Sequence, residues 1–141
     1  MYYIYFNSGT TNTRGYLLQK TAGDYQIVDN KRANIGSRDS SIAGDKEVLI
    51  KGLYQLYNQL LENNNLDDSQ IQEVMASGMI TSTYGLKKVP HLSTPVSAEK
   101  LYKNIYYYKE PNYFKRNLGL IRGVKTIPRQ TRLEPNMLAE A

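Results

Sequence analysis

The residues with the clearest chemical potential lie in a short loop near the N-terminus, between two β-rich segments. The loop reads Gly9-Thr10-Thr11-Asn12, and Arg14 follows two positions later. A glycine turn of this kind leaves backbone N–H groups that can bind an anion, and threonine hydroxyls add donors. The forked guanidinium of Arg14 suits phosphate oxygens or a carboxylate. Since glycine followed by threonine is also common in simple hairpins, the loop alone indicates either a phosphate site or an ordinary turn.

A second run of residues that suits ligand binding falls where a later strand should end. It comprises Ala76-Ser77-Gly78-Met79-Ile80, then Gly85, then Pro90-His91-Leu92, and then Pro95. Gly78 would allow the backbone to approach a substrate closely. The alternative for Ser77 and Gly78 is a plain strand-to-loop turn, and Met79 is expected to be a packing residue.

His91 is the only histidine of the chain, which also has no cysteine. It could contact an acidic substrate, or it could be a polar surface group. A zinc-type metal site is not expected here, because no second histidine or cysteine is available to complete it.

Three β-rich segments and a helix are expected to position these residues. Residues 2–7 are a run of aromatic and β-branched residues that predicts a buried strand, and residues 15–19 and 26–29 are the next two predicted strands, with a hairpin signal at Gly23-Asp24 between them. The Gly-, Ser- and Asp-rich residues 34–44 are predicted to form a loop. From Asp45, an expected N-cap, leucines recur at helical spacing at positions 49, 53, 56 and 60.

The remainder of the chain alternates between strand and helix patterns. Residues 72–76 and 118–121 are predicted strands, and residues 97–107 are a predicted second helix. Residues 87–95 are bounded by prolines and should be extended or looped. A meander of three strands followed by this alternation predicts α/β layers built on a mixed sheet.

Both motifs resemble those of a known kinase family. The loop at residues 9–12 ends the first strand, as does the first phosphate loop of the sugar kinase, hsp70 and actin superfamily, with its pattern Asp-x-Gly-Thr-Thr. The run around Gly78 is similar to the Ala-Ser-Gly-Met signature of 2-dehydro-3-deoxygalactonokinases. The resemblance covers about residues 2–127 and implies a ribonuclease-H-like N-terminal lobe, α/β in class, with an antiparallel three-strand meander before the β–α alternation.

The resemblance also implies a chemistry, namely transfer of the γ-phosphate of ATP to a 2-keto-3-deoxy sugar acid, with Mg²⁺. Phosphoryl transfer of this kind depends mainly on positioning and on stabilisation of charge. The residues that it assigns to ATP phosphates are Gly9, Thr10, Thr11, Asn12 and Arg14. Those that it assigns to the substrate cleft are Ser77, Gly78, Met79 and His91.

The sequence departs from the family pattern at two places. Asn7 replaces the aspartate that helps hold Mg²⁺ through water, so only a weak, water-mediated metal contact is expected. The family also continues into a second lobe after a Met-Arg-Gly-Glu-Glu stretch, of which residues 136–141 keep only traces. We therefore expect residues 1–128 to form one lobe, with residues 129–141 a tail or linker toward a second lobe, and little turnover from this chain alone.

Two other functions remain to be weighed. A non-catalytic module derived from the kinase lobe, binding a phosphorylated or acidic ligand, would agree with Asn7. A nuclease with a ribonuclease-H-like fold is not favoured, because two-metal sites need carboxylates that begin on the first strand. That strand, at residues 2–7, has none.

The charge of the chain is uneven. The net charge is +5, and residues 100–132 contain nine basic residues and one acidic residue, interleaved with five tyrosines. Such a segment could bind nucleic acid. We favour a solvated helix with tyrosines packed beneath it, and a surface covered by an acidic partner lobe is a third interpretation. No apolar run is long enough to span a membrane and no signal peptide is evident, so we expect a cytoplasmic protein whose partners are ATP, a sugar acid, and a second lobe or a second copy.

Overall fold

A computed structural model of the chain describes residues 1–126 and shows a mixed six-stranded sheet with its main helix on one face. The sheet strands are β1 (Tyr2–Ser8), β2 (Thr13–Thr21), β3 (Asp24–Ala33), β4 (Ile71–Gly78), β6 (Tyr106–Glu110) and β7 (Arg116–Leu120). The helices are α1 (Ser37–Ala43), α2 (Glu47–Asn63) and α3 (Ala98–Lys103). Two short strands, β5 (Leu92–Ser93) and β8 (Val124–Lys125), pair in a separate small sheet.

The order of strands in the large sheet is β3-β2-β1-β4-β7-β6. The first three strands form an antiparallel meander, and β4 and β7 then run parallel to β1. The predicted α/β class, the mixed sheet and the three-strand meander are therefore confirmed. The predicted tail at residues 129–141 lies outside the described residues.

The core lies between the sheet and α2. The leucines at positions 49, 53, 56 and 60 of α2 are buried against Ile4 and Phe6 of β1 and Leu17 of β2. At Gly15 a β carbon would come within 3.0 Å of the Leu60 side chain, so this position brings α2 close to the sheet. Burial of each leucine side chain contributes about 1.5–3 kcal/mol to stability. The leucine stripe is therefore the main interaction that holds α2 against the sheet.

The start of α2 differs slightly from the expected cap. The helix begins at Glu47, and its N-cap position is Lys46, which makes no side-chain cap. Asp45 nevertheless accepts a hydrogen bond from the Glu47 backbone N–H at 2.9 Å, one residue earlier than a standard cap. The aspartate therefore satisfies one of the N–H groups that a helix start leaves unpaired.

The prediction of a loop at residues 34–44 is wrong, because α1 occupies most of it. Asp39 accepts a hydrogen bond from the Gly36 backbone N–H at 2.9 Å, and its own N–H donates to the Gly36 carbonyl at 3.1 Å, so the first turn is closed at both residues. The N–H groups of the two residues between them donate to the loop at residues 9–12. The helix is thus stabilised by a tertiary contact, which composition cannot reveal.

The predicted helix at residues 97–107 is too long. Ser97 caps α3 as an N-cap, but the helix ends at Lys103, and Asn104 then turns the chain into β6. Tyr106 and Tyr108 pack against the core while Tyr107 is exposed, which is the two-residue period of a strand. The interpretation of the basic, tyrosine-rich segment as one solvated helix is therefore wrong beyond Lys103. Among residues 1–126, no helix has the length and apolar character that crossing a membrane requires.

Candidate functional site

The two sequence motifs meet at the carboxyl ends of two neighbouring central strands of the sheet. Strands β1 and β4 are parallel neighbours, and their register pairs Asn7 with Ser77 and Ser8 with Gly78. The loops that follow the two strands therefore lie together at the carboxyl ends of the strands, which is where open α/β sheets bind ligands. The sequence places these motifs seventy residues apart, and the fold brings them side by side.

The loop at residues 9–12 is a tight turn on a fixed base. The Gly9 backbone N–H donates to the Asn12 carbonyl oxygen at 2.7 Å, and the Thr10 and Thr11 side chains are exposed. Beneath the turn, the buried hydroxyls of Ser8 and Thr13 lie 2.9 Å apart, and Thr13 donates to the Ile35 carbonyl at 2.7 Å. The turn is therefore anchored from below while its tip faces solvent.

Helix α1 fixes the orientation of the peptide groups in this turn. The Ser37 and Arg38 N–H groups donate to the Gly9 and Thr10 carbonyl oxygens at 3.2 and 2.9 Å. At Gly36 a β carbon would lie 2.4 Å from the Thr10 carbonyl oxygen, so this approach requires a residue without a side chain. The carbonyls of the loop are thus held toward α1.

That orientation decides where the N–H groups of the loop point. In a trans peptide the C=O and the N–H point in opposite directions. Because the Gly9 and Thr10 carbonyls face α1, the N–H groups of Thr10 and Thr11 must point away from it. Neither N–H donates a hydrogen bond within residues 1–126. Two consecutive N–H groups directed to one side form a concave donor site for an anion.

An open cavity of about 360 Å³ lies beside the turn and is lined by Asn7, Gly9, Asn12, Arg14 and Arg32. Arg32 donates to the Asn12 side-chain oxygen through Nε and Nη2, at 3.0 and 2.7 Å. Arg14 donates from Nη1 to the Asn30 side-chain oxygen at 2.5 Å. The cavity contains two guanidinium groups and no carboxylate, so its chemistry suits an anion.

The same cavity does not suit a magnesium ion held by the protein. Asn7 offers a neutral amide oxygen, the Asn12 amide oxygen already accepts from Arg32, and two arginines repel a cation. Within the described residues there is no group of three His, Cys, Asp or Glu side chains that could hold a metal. Hard cations prefer several charged oxygen ligands, and these residues do not supply them.

The second motif packs directly against the end of β1, just before the turn at residues 9–12. Gly78 has φ of +87°, and a β carbon there would lie 2.3 Å from the Ser8 carbonyl oxygen. Ser77 is buried, and its hydroxyl is hydrogen-bonded to that of Tyr5. Met79 is half-buried and opens a 3-10 turn, Met79–Thr81, against which Gly85 packs. Close packing against the backbone therefore requires glycine at positions 78 and 85, whether or not a substrate binds.

His91 lies further along the chain, next to the small two-stranded sheet. It is half-buried and precedes Leu92, whose backbone N–H donates to the Gly123 carbonyl at 2.9 Å. Its assignment to a substrate site remains a prediction.

Comparison with known sequences assigns the chain to a protein family. The sequence model of the 2-keto-3-deoxy-galactonokinase family matches residues 7–137, which is most of the chain. The chain belongs to that family. The match begins at Asn7, two residues before the candidate phosphate loop, and it includes the signature around Gly78.

The fold of this family member agrees with a solved structure. A crystal structure of a candidate 2-dehydro-3-deoxygalactonokinase from Sinorhizobium meliloti is similar, with a TM-score of 0.65 and 15% sequence identity. The similarity covers 92% of this chain and 37% of that one, so this chain spans a little over a third of the length of that protein. Among curated proteins, no match is found.

Sequence reasoning missed two residues of the site in this family member. Arg32 lies at the far end of β3, where its register partner is Arg14, and an isolated arginine in a strand gives no signal of its own. Gly36 had a weak signal, since glycine is tolerated at the N-cap and Asp39 follows in the first turn of a helix. Its close contact with the Thr10 carbonyl depends on the tertiary fold.

Proposed function

We propose that residues 1–128 form the N-terminal lobe of a carbohydrate kinase. The proposed reaction transfers the γ-phosphate of ATP to 2-dehydro-3-deoxygalactonate or to a similar 2-keto-3-deoxy sugar acid. The observation that carries the proposal is that α1 directs the N–H groups of Thr10 and Thr11 away from itself, in a turn that borders a cavity lined by two arginines. The family assignment supplies the class of reaction.

In this proposal the turn binds the phosphates of the nucleotide. The Thr10 and Thr11 N–H groups and their exposed hydroxyls donate to phosphate oxygens, and Arg14 contributes a charged donor. Arg32 positions Asn12 by holding its side-chain oxygen. Donors that are fixed before the nucleotide arrives stabilise the charge that develops during transfer without reorganising at that moment.

The sugar acid would lie along the same sheet edge, next to Gly78. In this proposal Ser77, Gly78 and Met79 border the substrate, and His91 approaches it from the loop before β5. Placing the accepting hydroxyl next to the γ-phosphate turns a reaction between two molecules into one within a single complex. The pairing of Ser8 with Gly78 brings the two loops close enough for this.

Two further components belong to the proposal. Mg²⁺ would arrive bound to the ATP phosphates and would neutralise part of their charge, with Asn7 contacting it only through water. A second lobe, or a second copy of the chain, would close the cleft over the exposed tips of Thr10 and Thr11. Closure excludes water and strengthens the electrostatic contacts around the phosphates.

A non-catalytic binding module is the alternative that one observation favours. Asn7 carries no charge where the superfamily has an aspartate, and no carboxylate lines the cavity beside the turn. A lobe of this kind could bind a phosphorylated ligand without transferring the phosphate. The two proposals share the phosphate site and differ only in turnover.

A titration with nucleotides tests the phosphate site that both proposals need. Binding of ATP and of AMP to the full chain should be compared by calorimetry or nuclear magnetic resonance, using the natural sequence, Arg14→Gln, and Arg122→Gln. Arg122 donates to the Asn104 carbonyl at 2.8 Å and is not among the residues that line the cavity, so it serves as the matched control. We expect ATP to bind more tightly than AMP, and Arg14→Gln alone to weaken ATP binding, by about fivefold or more. Equal affinities for ATP and AMP, or no effect of Arg14→Gln, would contradict the assignment.

A further inference from the structure

A second cavity, of about 470 Å³, lies near the same edge of the sheet. It is enclosed by the last turn of α1, the start of α2, and the loop that follows the Met79–Thr81 turn. This loop is fixed, because the Leu86 N–H donates to the Ile80 carbonyl at 2.9 Å and the Val89 N–H donates to the Thr81 carbonyl at 3.0 Å. The cavity is therefore built by the segment that continues the Gly78 motif.

The cavity contains a buried hydroxyl whose hydrogen-bonding capacity is unused. Ser40 lines the cavity and is only 4% exposed, and its Oγ has no hydrogen-bond partner among the described residues. A buried polar group without a partner is costly, so native proteins rarely retain one without a reason. A ligand atom in the cavity that accepts a hydrogen bond would satisfy this hydroxyl.

The charges around the cavity indicate the charge of its ligand. Lys46, Lys87 and Lys88 line it against a single carboxylate, that of Asp45. Lys46 is held in place by donating to the Leu86 carbonyl at 3.2 Å and by lying over the Tyr108 ring, 4.7 Å from its centroid. Lys87 and Lys88 are exposed at the rim. Three ammonium groups and a hydroxyl donor form a site for a small anion.

The position of Ser40 relates this site to the phosphate turn. Helix α1 contacts the turn through Arg38, and Ser40 lies two residues further along the same helix. Helix α1 therefore connects the cavity with the phosphate turn, and the loop held by Leu86 and Val89 connects it with the Gly78 motif.

We propose that this cavity binds the carboxylate of the sugar-acid substrate, with Ser40 donating a hydrogen bond and Lys87 and Lys88 supplying charge. The inference rests on the proposed function and extends it, because it assigns the selection of an acidic sugar to residues outside the two sequence motifs. Lys46 stabilises the loop and adds to the positive potential.

The test is a titration of the full chain, followed by the backbone amide signals in nuclear magnetic resonance. The probes are 2-dehydro-3-deoxygalactonate and, as a neutral sugar of similar size, 2-deoxygalactose. The variants are Ser40→Ala and the double substitution Lys87→Gln with Lys88→Gln. The matched control is Lys51→Gln with Lys100→Gln, which removes the same charge from exposed positions that do not line the cavity.

We expect the sugar acid, but not 2-deoxygalactose, to shift the amide signals of Ser40, Gly85 and Lys87. Each cavity variant should weaken this binding about fivefold or more, and the control should bind as the natural chain does. Ser40→Ala should not lower stability, since it removes a buried hydroxyl that has no partner. This separates loss of a ligand contact from loss of folding.

Three results would overturn the proposal: no shift at these amides, equal shifts with the neutral sugar, or unchanged affinity in the cavity variants. Adding tripolyphosphate to the same samples tests the proposed function separately, through the amides of Thr10 and Thr11. If tripolyphosphate binds there and the cavity variants bind the sugar acid normally, only the carboxylate site is wrong. If the sugar acid binds in the cavity and tripolyphosphate does not bind at the turn, the kinase proposal is wrong and the anion site stands.

Discussion

Gly78 packs directly against Ser8, so that a β carbon on Gly78 would lie 2.3 Å from the Ser8 carbonyl oxygen. The contact joins the ends of β1 and β4, the two strands that carry the candidate site. With φ at +87°, Gly78 also occupies a backbone conformation that other residues avoid. The geometry of the sheet edge therefore depends on the absence of a side chain at this position.

Replacing Gly78 with alanine should destabilise the protein by about 3 kcal/mol or more, because backbone strain adds to the clash with Ser8. The matched control is Gly23→Ala in the β2–β3 hairpin, where φ is +88° and no atom lies within 4 Å of the added β carbon. That variant should be destabilised by the backbone strain alone, about 1–2 kcal/mol. Urea unfolding of both variants measures the difference, and equal losses would show that the Ser8 contact is unimportant.

Gly36→Ala should impair phosphate binding without touching the ligand. Its β carbon would lie 2.4 Å from the Thr10 carbonyl oxygen, so α1 must withdraw and the carbonyls of the turn lose their orientation. Tripolyphosphate affinity should fall about tenfold, because donors that are no longer preorganised must be ordered when the ligand binds. Gly44→Ala, at the other end of α1 with no atom within 4 Å, is the control. Normal affinity in Gly36→Ala would show that α1 does not orient the turn.

Stability should fall at alkaline pH in a way that depends on Tyr57. Burial, and then the hydrogen bond that Tyr57 donates to Asp68, raise the pKa of the Tyr57 hydroxyl well above its ordinary value of 10.0. Above pH 10 the unfolded chain releases this proton and the folded chain retains it. The contribution to stability is therefore complete below pH 10 and declines above it, by about 1.4 kcal/mol per pH unit.

The measurement is urea unfolding between pH 8 and pH 11. Tyr57→Phe should lower stability by about 1–2 kcal/mol at pH 8, through loss of the hydrogen bond, and should show a shallower decline above pH 10. Tyr102→Phe, at a position that is 69% exposed, is the control and should retain the natural slope. An unchanged slope in Tyr57→Phe would show that Tyr57 is not the group responsible.

Turnover by this chain alone should be far below the roughly 1–100 s⁻¹ of ordinary kinases. The turn that would hold the phosphates is exposed, and within the described residues nothing covers it. Asn7→Asp should add a negative charge near the phosphates but should not restore an ordinary rate, because a carboxylate at this position does not cover the exposed turn. ADP release from ATP with 2-dehydro-3-deoxygalactonate measures both chains. An ordinary rate from the unmodified chain would contradict this account.

The large features of the fold could be predicted because they follow local periodicity. The leucine stripe predicted α2, and three β-rich segments separated by glycine turns predicted the meander of β1, β2 and β3. Helix α1 could not be predicted, because its first turn depends on the carbonyls of Gly9 and Thr10, which are distant in sequence. Strand β6 was missed for a similar reason, since Tyr106 and Tyr108 are fixed by packing against the core.

The candidate site was predictable only in part. The turn at residues 9–12 and the run around Gly78 carry recognisable glycines, so their residues could be named in advance. Their meeting depends on the parallel pairing of β1 with β4, which a sequence pattern does not specify. Arg32 and Ser40 carry no local signal, because each matters through what the fold places beside it.

The central claim is that the N–H groups of Thr10 and Thr11 bind phosphate, and one titration tests it directly. Tripolyphosphate is added to the full chain while the backbone amide signals are followed by nuclear magnetic resonance, with adenosine as the control. We expect tripolyphosphate, and not adenosine, to shift the Thr10 and Thr11 amides most strongly, with saturation. If these two amides do not shift while others do, phosphate binds elsewhere and the kinase-lobe account of this site is wrong.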